Sequence, residues 1–310
     1  MLSLGMRFFL LALALFPAPL AFAQQTWQHY DRGRIRVYYQ TEGPAAVLSR
    51  DENDNRIPDP VEDAALQVEA MHKLMVEALG FPDPFKSKRF SPAKRVEIFI
   101  LGRDRMRVAK GIAFDELQRA KDEPKGVKSI RFWMAADVEP HRNGTPAHEY
   151  FHLIQYGNSY FKNSWYAEGT ARWAEGLLGK ASGTSAESTV VWPLTSGDVE
   201  TLNKRSYAAA TEFFLPLLHR FNREDDHLPD HEAVREVEAM RYANGTPVLR
   251  AHRLAGWPLI KQWFERLNTM DEVAFRELGY DRWSEANQFS TANTPYLLKA
   301  LGEVLPEEKL

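Results

Sequence analysis

Three short apolar segments in the first half of the chain have the patterns of β-strands. Charged and apolar residues alternate over Gly33–Thr41, and the runs Arg95–Gly102 and Lys128–Val138 have a similar composition. Between the first two segments, apolar residues recur at helical spacing from Asp59 to Gly80. The polar stretch Glu116–Gly126 predicts a mobile loop. This half therefore predicts a small mixed region of strands with one helix.

The second half of the chain has helical spacing almost throughout. Thr145 is predicted as the N-cap and Pro146 as the first residue of one helix, and a second helix begins near Ser164 and ends at Gly179. The further helical segments are Asn203–Phe221, which Pro216 should kink or divide, Asp230–Tyr242, Thr246–Leu254, Pro258–Leu267 and Asp271–Leu278. Strands followed by helices predict an α+β fold with a mainly helical C-terminal part.

The first residues indicate where the protein acts. Residues 1–23 contain a single charge at Arg7, an apolar run Phe8–Leu15 and the ending Ala21-Phe22-Ala23, which is the layout of a cleaved secretory signal. An uncleaved membrane anchor is the alternative. We expect a secreted or periplasmic protein with no stable membrane insertion after cleavage. Residues 24–180 would then form the sheet region with the first two helices, and 181–310 the helical remainder of the same unit.

Composition and charge exclude two classes of function. The chain has 39 basic and 42 acidic residues, a formal net charge of −3 and no long basic run, so it lacks the electrostatic signature of a nucleic-acid-binding protein. It has no cysteine, which excludes both disulfides and thiolate chemistry. The candidate chemistry therefore lies with other side chains, among them nine histidines.

Two of these histidines stand in the stretch TPAHEYFHLIQYG. His148 and His152 are four positions apart, so they project from one helix face and can share a metal ion, with Glu149 beside them. Zinc would lower the pKa of a bound water toward neutrality, and the adjacent carboxylate would take its proton. A catalytic zinc has three protein ligands, and Glu168 on the next helix is the third candidate. Glu175, seven residues further, faces the same side and could orient a ligating histidine.

The motifs HEYFH and WYAEGTARWAE resemble the HExxH and downstream Glu of the gluzincin metallopeptidases, the group of thermolysin and the zinc aminopeptidases, and in particular secreted bacterial neutral zinc metallopeptidases. The resemblance covers Thr145 to about Leu178. It implies a zincin-like fold and a peptide or protein substrate. It also implies that His148, His152 and Glu168 bind zinc and that Glu149 is the general base.

The chain departs from that pattern in three respects. The spacing from His152 to Glu168 is shorter than in thermolysin or the aminopeptidases, and Arg172 stands where thermolysin-like enzymes have a carboxylate. No G-x-M-E-N stretch precedes the HExxH, which favours an endopeptidase over an aminopeptidase. The small residues Gly169, Thr170 and Ala171 would let the second helix approach the first closely at the metal.

Water attack on a peptide carbonyl also needs a donor for the developing negative charge. Tyr207 is the first candidate and His231 the second, although either could be an ordinary packed or exposed residue. The strand that includes Ser129–Val138 precedes the metal helix, and the resemblance implies that such an edge strand pairs with extended substrate.

A second ion site is predicted in the sequence DENDNRIPDPVE. Its oxygen-bearing side chains stand at positions 1, 3, 5, 9 and 12 of an EF-hand-like calcium loop, namely Asp51, Asn53, Asn55, Asp59 and Glu62. Arg56 occupies position 6, where such loops have glycine. The alternative is structural, because Asp59 and Glu62 could form a capping box for the helix opened by Pro60.

The sequence therefore predicts a secreted zinc peptidase, with calcium as a possible second cofactor. Three alternatives stay open: a capped surface helix with paired polar residues, a non-catalytic zinc-binding interaction protein on a zincin fold, and hydrolysis of a non-peptide amide or ester.

Overall fold

A computed structural model of the protein describes residues 27–179, 192–221 and 226–306. The predicted signal over residues 1–23 lies outside these ranges. Within them, no helix is both long and apolar enough to cross a membrane.

A six-stranded mixed sheet lies in the first half of the chain. Its strands are β1 (Gln28–Arg32), β2 (Ile35–Tyr39), β3 (Ala93–Leu101), β4 (Gly111–Ala113), β5 (Gln118–Arg119) and β6 (Lys128–Ala135). The order is β1-β2-β3-β6-β4, with β5 also paired to β6, and β2, β3 and β6 are parallel. β1, β4 and β5 are antiparallel to their neighbours. The three predicted strands are confirmed as β2, β3 and β6.

The structure corrects two expectations about the sheet. The stretch Glu116–Gly126 is not entirely loop, because β5 lies within it. β6 is not an edge strand, since it pairs with β3 on one side and with β4 and β5 on the other. The edge nearest the predicted metal helix is the short strand β4.

Ten α-helices lie in the described residues, and six of them fall in segments predicted as helical, whereas the helices at 103–106, 196–204, 285–288 and 294–302 have no predicted counterpart. The ten helices are α1 (Asp59–His72), α2 (Arg103–Met106), α3 (Thr145–Asn158), α4 (Ser164–Glu175), α5 (Ser196–Lys204), α6 (Leu215–Phe221), α7 (Glu232–Ala239), α8 (Trp257–Glu277), α9 (Glu285–Gln288) and α10 (Thr294–Gly302). A π-helix, Lys73–Ala78, continues α1, and Gly80 follows it with a φ of +73°, as expected for a helix stop.

Two predictions in the C-terminal part are wrong, and one is refined. Residues 246–254 contain no helix, although helical spacing is present there. The segments Pro258–Leu267 and Asp271–Leu278 form one continuous helix, α8. The predicted helix Asn203–Phe221 is divided into a 3₁₀ turn, Ser206–Ala208, a π-helix, Ala210–Phe214, and α6, in which Pro216 is the second residue.

Helices α1 and α3 pack against the sheet and against each other. Val37, Val96 and Ile98 of the parallel strands are buried in the resulting core. α4 packs on α3, away from the sheet, and the segment 206–214 packs on α4. The fold is therefore mixed, with a sheet in the first half and helices dominating the second, and it holds α3 at the centre.

Candidate metal centre

Helix α3 is buried along its whole length, including every polar residue. His148 and His152 are only 5% and 4% exposed. Buried polar side chains need partners, because an unpaired one costs free energy. The alternative of a capped surface helix is therefore wrong, and the partners of each side chain show what the helix is arranged to hold.

The first turn of α3 is stabilised by other parts of the chain. The N-cap is Gly144 rather than Thr145, one residue earlier than predicted. Asn143 Oδ1 accepts the Thr145 N–H at 3.0 Å, and Gln67 Oε1 from α1 accepts the Ala147 N–H at 3.1 Å. The His148 N–H donates to Gly144 O at 2.9 Å. The first two bonds satisfy N–H groups that a helix start leaves without a partner, and the third is the first bond within the helix.

Three side chains from α3 and α4 meet at one point. The Nε2 atoms of His148 and His152 are 3.1 Å apart, and Glu168 Oε2 lies 3.2 Å from the first and 3.7 Å from the second. Ligand atoms about 2.0–2.1 Å from a tetrahedral zinc ion lie about 3.3 Å from one another. These residues could therefore hold a metal ion, and their separations are compatible with zinc without identifying it.

His152 is fixed by a glutamine that the sequence analysis missed. Its Nδ1 lies 2.6 Å from Gln155 Oε1, which can only accept, so Nδ1 carries the proton and Nε2 is free to bind a metal. The Gln155 amide nitrogen donates to Ala167 O at 2.9 Å and to the Thr170 hydroxyl at 2.6 Å. The spacing of three residues from His152 could have indicated this contact.

His148 faces the carboxylate predicted to orient it. Its Nδ1 lies 3.4 Å from Glu175 Oε2, while Arg172 donates to Glu175 Oε1 at 2.6 Å. A Cβ on Gly144 would lie 2.2 Å from Glu175 Cγ, so this close approach needs a glycine at the start of α3. Although burial favours the neutral acid, His148 and Arg172 lower the pKa of Glu175.

The carboxylates around His148 favour a positive charge at this point. Burial alone would lower the pKa of His148, but Glu168 and Glu175 raise it to about 10. Burial opposes ionisation of Glu168 as well, yet His152 and His148 hold its pKa well below the usual range. A cation at this point would take the place of that extra proton, which is the coupling expected of metal binding.

Glu149 lies beside the cluster and against the sheet. Its side chain is 6% exposed, and burial raises its pKa, while His152, His148 and the Ala113 N–H act in the opposite direction. The nearest strand is β4, where a Cβ on Gly111 would lie 2.3 Å from Glu149 Oε1. The carboxylate is therefore confined between α3 and the edge strand.

Two tyrosines flank the histidines. The Tyr207 ring stacks on His148 with centroids 5.7 Å apart, and the Tyr156 ring is parallel to His152 at 5.6 Å. Tyr207 is 61% exposed, whereas Tyr156 is 8% exposed. Partial desolvation, with Glu168 and Glu149, raises the pKa of Tyr207, which keeps its hydroxyl protonated as a donor. Tyr156 was not predicted, although it follows His148 and His152 at the same four-residue spacing.

The small residues of α4 do not all serve the expected contact. A Cβ on Gly169 would lie 2.7 Å from Phe214 Cε2, so Gly169 admits the π-helix beside Tyr207 rather than α3. Thr170 does contact α3, through Gln155. His231 caps α7, where its Nδ1 accepts the Ala233 N–H at 3.1 Å.

The loop predicted to bind calcium folds around its own side chains. Asn53 and Asn55 donate to the two Glu62 oxygens at 3.0 and 2.7 Å, and Asp51 accepts the Arg56 N–H at 2.7 Å. Arg56 has a φ of +71°, the conformation for which such loops use glycine. Asp59 is the first residue of α1 and not its N-cap. The N-cap of α1 is Pro58, and no side chain caps the helix there, so the capping box is not formed. Calcium binding by this loop stays a prediction.

No known family profile matches the chain, and no curated protein and no solved structure is significantly similar to it. The resemblance to gluzincins therefore rests on the motif residues of α3 and α4.

Proposed function

We propose that the protein is a secreted or periplasmic zinc-dependent peptidase of gluzincin type, with a zincin-like fold and endopeptidase activity. The observation that carries the proposal is the convergence of the His148, His152 and Glu168 ligand atoms within 3.1–3.7 Å of one another, beside the buried carboxylate of Glu149. A structural metal site would not need that fourth group.

Each side chain would have a separate role in such a reaction. His148 and His152, through Nε2, and Glu168, through Oε2, would hold zinc, which supplies a nucleophilic water of lowered pKa when bound. Glu149 would accept the proton on a carboxylate oxygen and pass it to the leaving amine. Glu175 and Gln155 keep the two imidazoles in position. The Tyr207 hydroxyl would donate to the developing oxyanion.

The edge strand supports a polypeptide substrate over a small ester. Ala135 donates to Lys110 O at 2.8 Å and Phe114 donates to Arg131 O at 3.0 Å, so alternate residues of this segment bond to β6. The backbone groups of Gly111 and Ala113 consequently point away from β6. An extended peptide could pair with the Gly111 N–H and C=O and with Ala113 O by strand addition, whereas the Ala113 N–H is directed toward Glu149. β4 thus takes the place that the sequence analysis assigned to β6.

The second candidate function is a secreted interaction protein that binds zinc without catalysis. The same ligand cluster is compatible with it, because three convergent ligands are sufficient to hold a metal. It predicts one zinc ion per chain and no cleavage of any peptide.

Glu149→Gln separates the two. We expect the variant to retain zinc, measured by elemental analysis, and to lose hydrolysis of a casein substrate and of a mixed peptide library. Glu265→Gln is the matched control, because Glu265 is an exposed residue of α8 that pairs with Lys261. Unchanged hydrolysis in Glu149→Gln would refute the proposal. A zinc-loaded wild type that cleaves nothing would establish the non-catalytic alternative.

A further inference from the structure

Strand β4 lies in contact with the side chain of Glu149. If Gly111 carried a Cβ, the atom would lie 2.3 Å from Glu149 Oε1, 2.4 Å from Cγ and 2.5 Å from Cδ. These are the three nearest atoms, and all belong to Glu149. Real Cβ atoms do not approach other heavy atoms so closely. Any side chain at position 111 therefore has to move the Glu149 carboxylate.

Backbone conformation does not explain the glycine. Gly111 is not among the glycines with a positive φ, so its backbone is one that alanine can adopt. Glycine also weakens a strand, because it has no side chain to pack and loses more entropy on folding. The Glu149 side chain thus occupies the space that a side chain at position 111 would need.

A second residue of β4 also contacts Glu149. The Ala113 N–H points away from β6 and faces the Glu149 carboxylate. Gly111 and Ala113 are alternate residues of β4, and the side-chain position of the first and the N–H of the second both lie against the same carboxylate. Among the residues that the structure describes, no strand pairs with this side of β4, so a peptide that pairs there is placed relative to this carboxylate.

We propose that Gly111 is a positioning residue for Glu149: its missing side chain lets the edge strand fix the carboxylate beside the metal ligands. The inference rests on the proposed function in treating Glu149 as the general base. It adds that β4 sets both the place of the substrate and the place of the base. A single strand would then determine the position of the scissile bond relative to the proton acceptor.

Gly111→Ala tests this directly. We expect zinc content to remain at the wild-type level, because the three atoms nearest the added methyl group belong to Glu149 and not to a ligand residue. We expect kcat to fall on the order of 10²-fold, since a displacement of about 1 Å at a reacting group has an effect of that size, with KM changed less than threefold. Gly197→Ala is the control, because its new Cβ would meet no atom closer than 3.8 Å.

A stability measurement tests the contact without any activity. Gly111→Ala should lower the melting temperature in the wild-type background and should have no such effect in a Glu149→Ala background, where the opposing side chain is gone. Equal shifts in the two backgrounds, or an unchanged kcat in Gly111→Ala, would overturn the inference. If Gly111→Ala lowers the melting temperature only when Glu149 is present, but the protein cleaves no peptide, the contact is supported and the proposed function is refuted.

Discussion

Gln67 connects α1 to the start of α3, and its removal should weaken the proposed metal binding from a distance. Its side chain is fully buried. The amide oxygen accepts the Ala147 N–H at 3.1 Å, while the amide nitrogen lies 3.0 Å from Pro140 O, 3.3 Å from Asn143 O and 2.7 Å from the Tyr242 hydroxyl. One side chain therefore fixes both the segment before α3 and the first turn that carries His148.

Gln67→Leu keeps the volume and removes these bonds. The Ala147 N–H and the Tyr242 hydroxyl lose their buried partner, whereas Pro140 O still accepts the Asn143 N–H at 3.1 Å and Asn143 itself is only partly buried. Two buried groups without partners, at about 1–2 kcal/mol each, predict a loss of about 3 kcal/mol in the free energy of unfolding. Because the first turn of α3 is then held less firmly, metal affinity should fall by about tenfold or more, in the range found for supporting residues.

Urea unfolding measures the stability, chelator competition the metal affinity, and hydrogen exchange the protection of the Ala147 amide. Val68→Ala is the control: Val68 is the buried neighbour of Gln67, and its truncation should cost a similar free energy, about 2–3 kcal/mol, with no hydrogen bond to α3 lost. If the two variants bind metal equally well, or the Ala147 amide stays protected in Gln67→Leu, the reasoning fails.

Two further predictions concern the ligands and a distant acid. Glu168→Ala should abolish stoichiometric zinc binding, whereas Glu175→Ala should weaken it by about 10–100-fold, as measured by chelator competition; the reverse order would overturn the choice of third ligand. Burial raises the pKa of Asp271 from 3.8 to about 6, so the folded state holds its proton more tightly than the unfolded chain does, and this acid lowers stability as pH rises from about 4 to 6. Asp271→Asn should therefore increase the free energy of unfolding at pH 7 by up to about 3 kcal/mol, with little gain at pH 4, and an equal gain at both would contradict the assignment.

Local pattern predicts the long elements well and the short ones poorly. β2, β3 and β6 were predicted because runs of apolar residues mark strands that other layers cover. β4 and β5 have three and two residues, too few for any periodicity, and they exist through pairing with β6. In 246–254 helical spacing is present but tertiary contacts take precedence: Val248 is buried in the core, and the Arg250 N–H donates to Leu177 O instead of to a helix carbonyl.

Local spacing also accounts for the site residues that the sequence predicts, whereas some of the missed residues depend on the whole fold. His148, Glu149 and His152 lie on one helix, and Glu168 follows on the next, so local spacing is sufficient to bring them together. Gly111 and Gln67 reach the site from a strand and a helix whose positions depend on the whole fold. Gln155 and Tyr156 are local as well, and the spacing from His152 could have revealed both.

The antiparallel packing of α3 and α4 explains the departure at Arg172. Glu168 contacts both histidines, and advancing along α4 leads back along α3 toward its first turn, where Glu175 meets His148 and Gly144. An orienting carboxylate two turns after Glu168 can therefore reach the outer nitrogen of His148. Arg172 bonds one Glu175 oxygen and leaves the other facing the imidazole. Arg172 thus supports the carboxylate that faces His148.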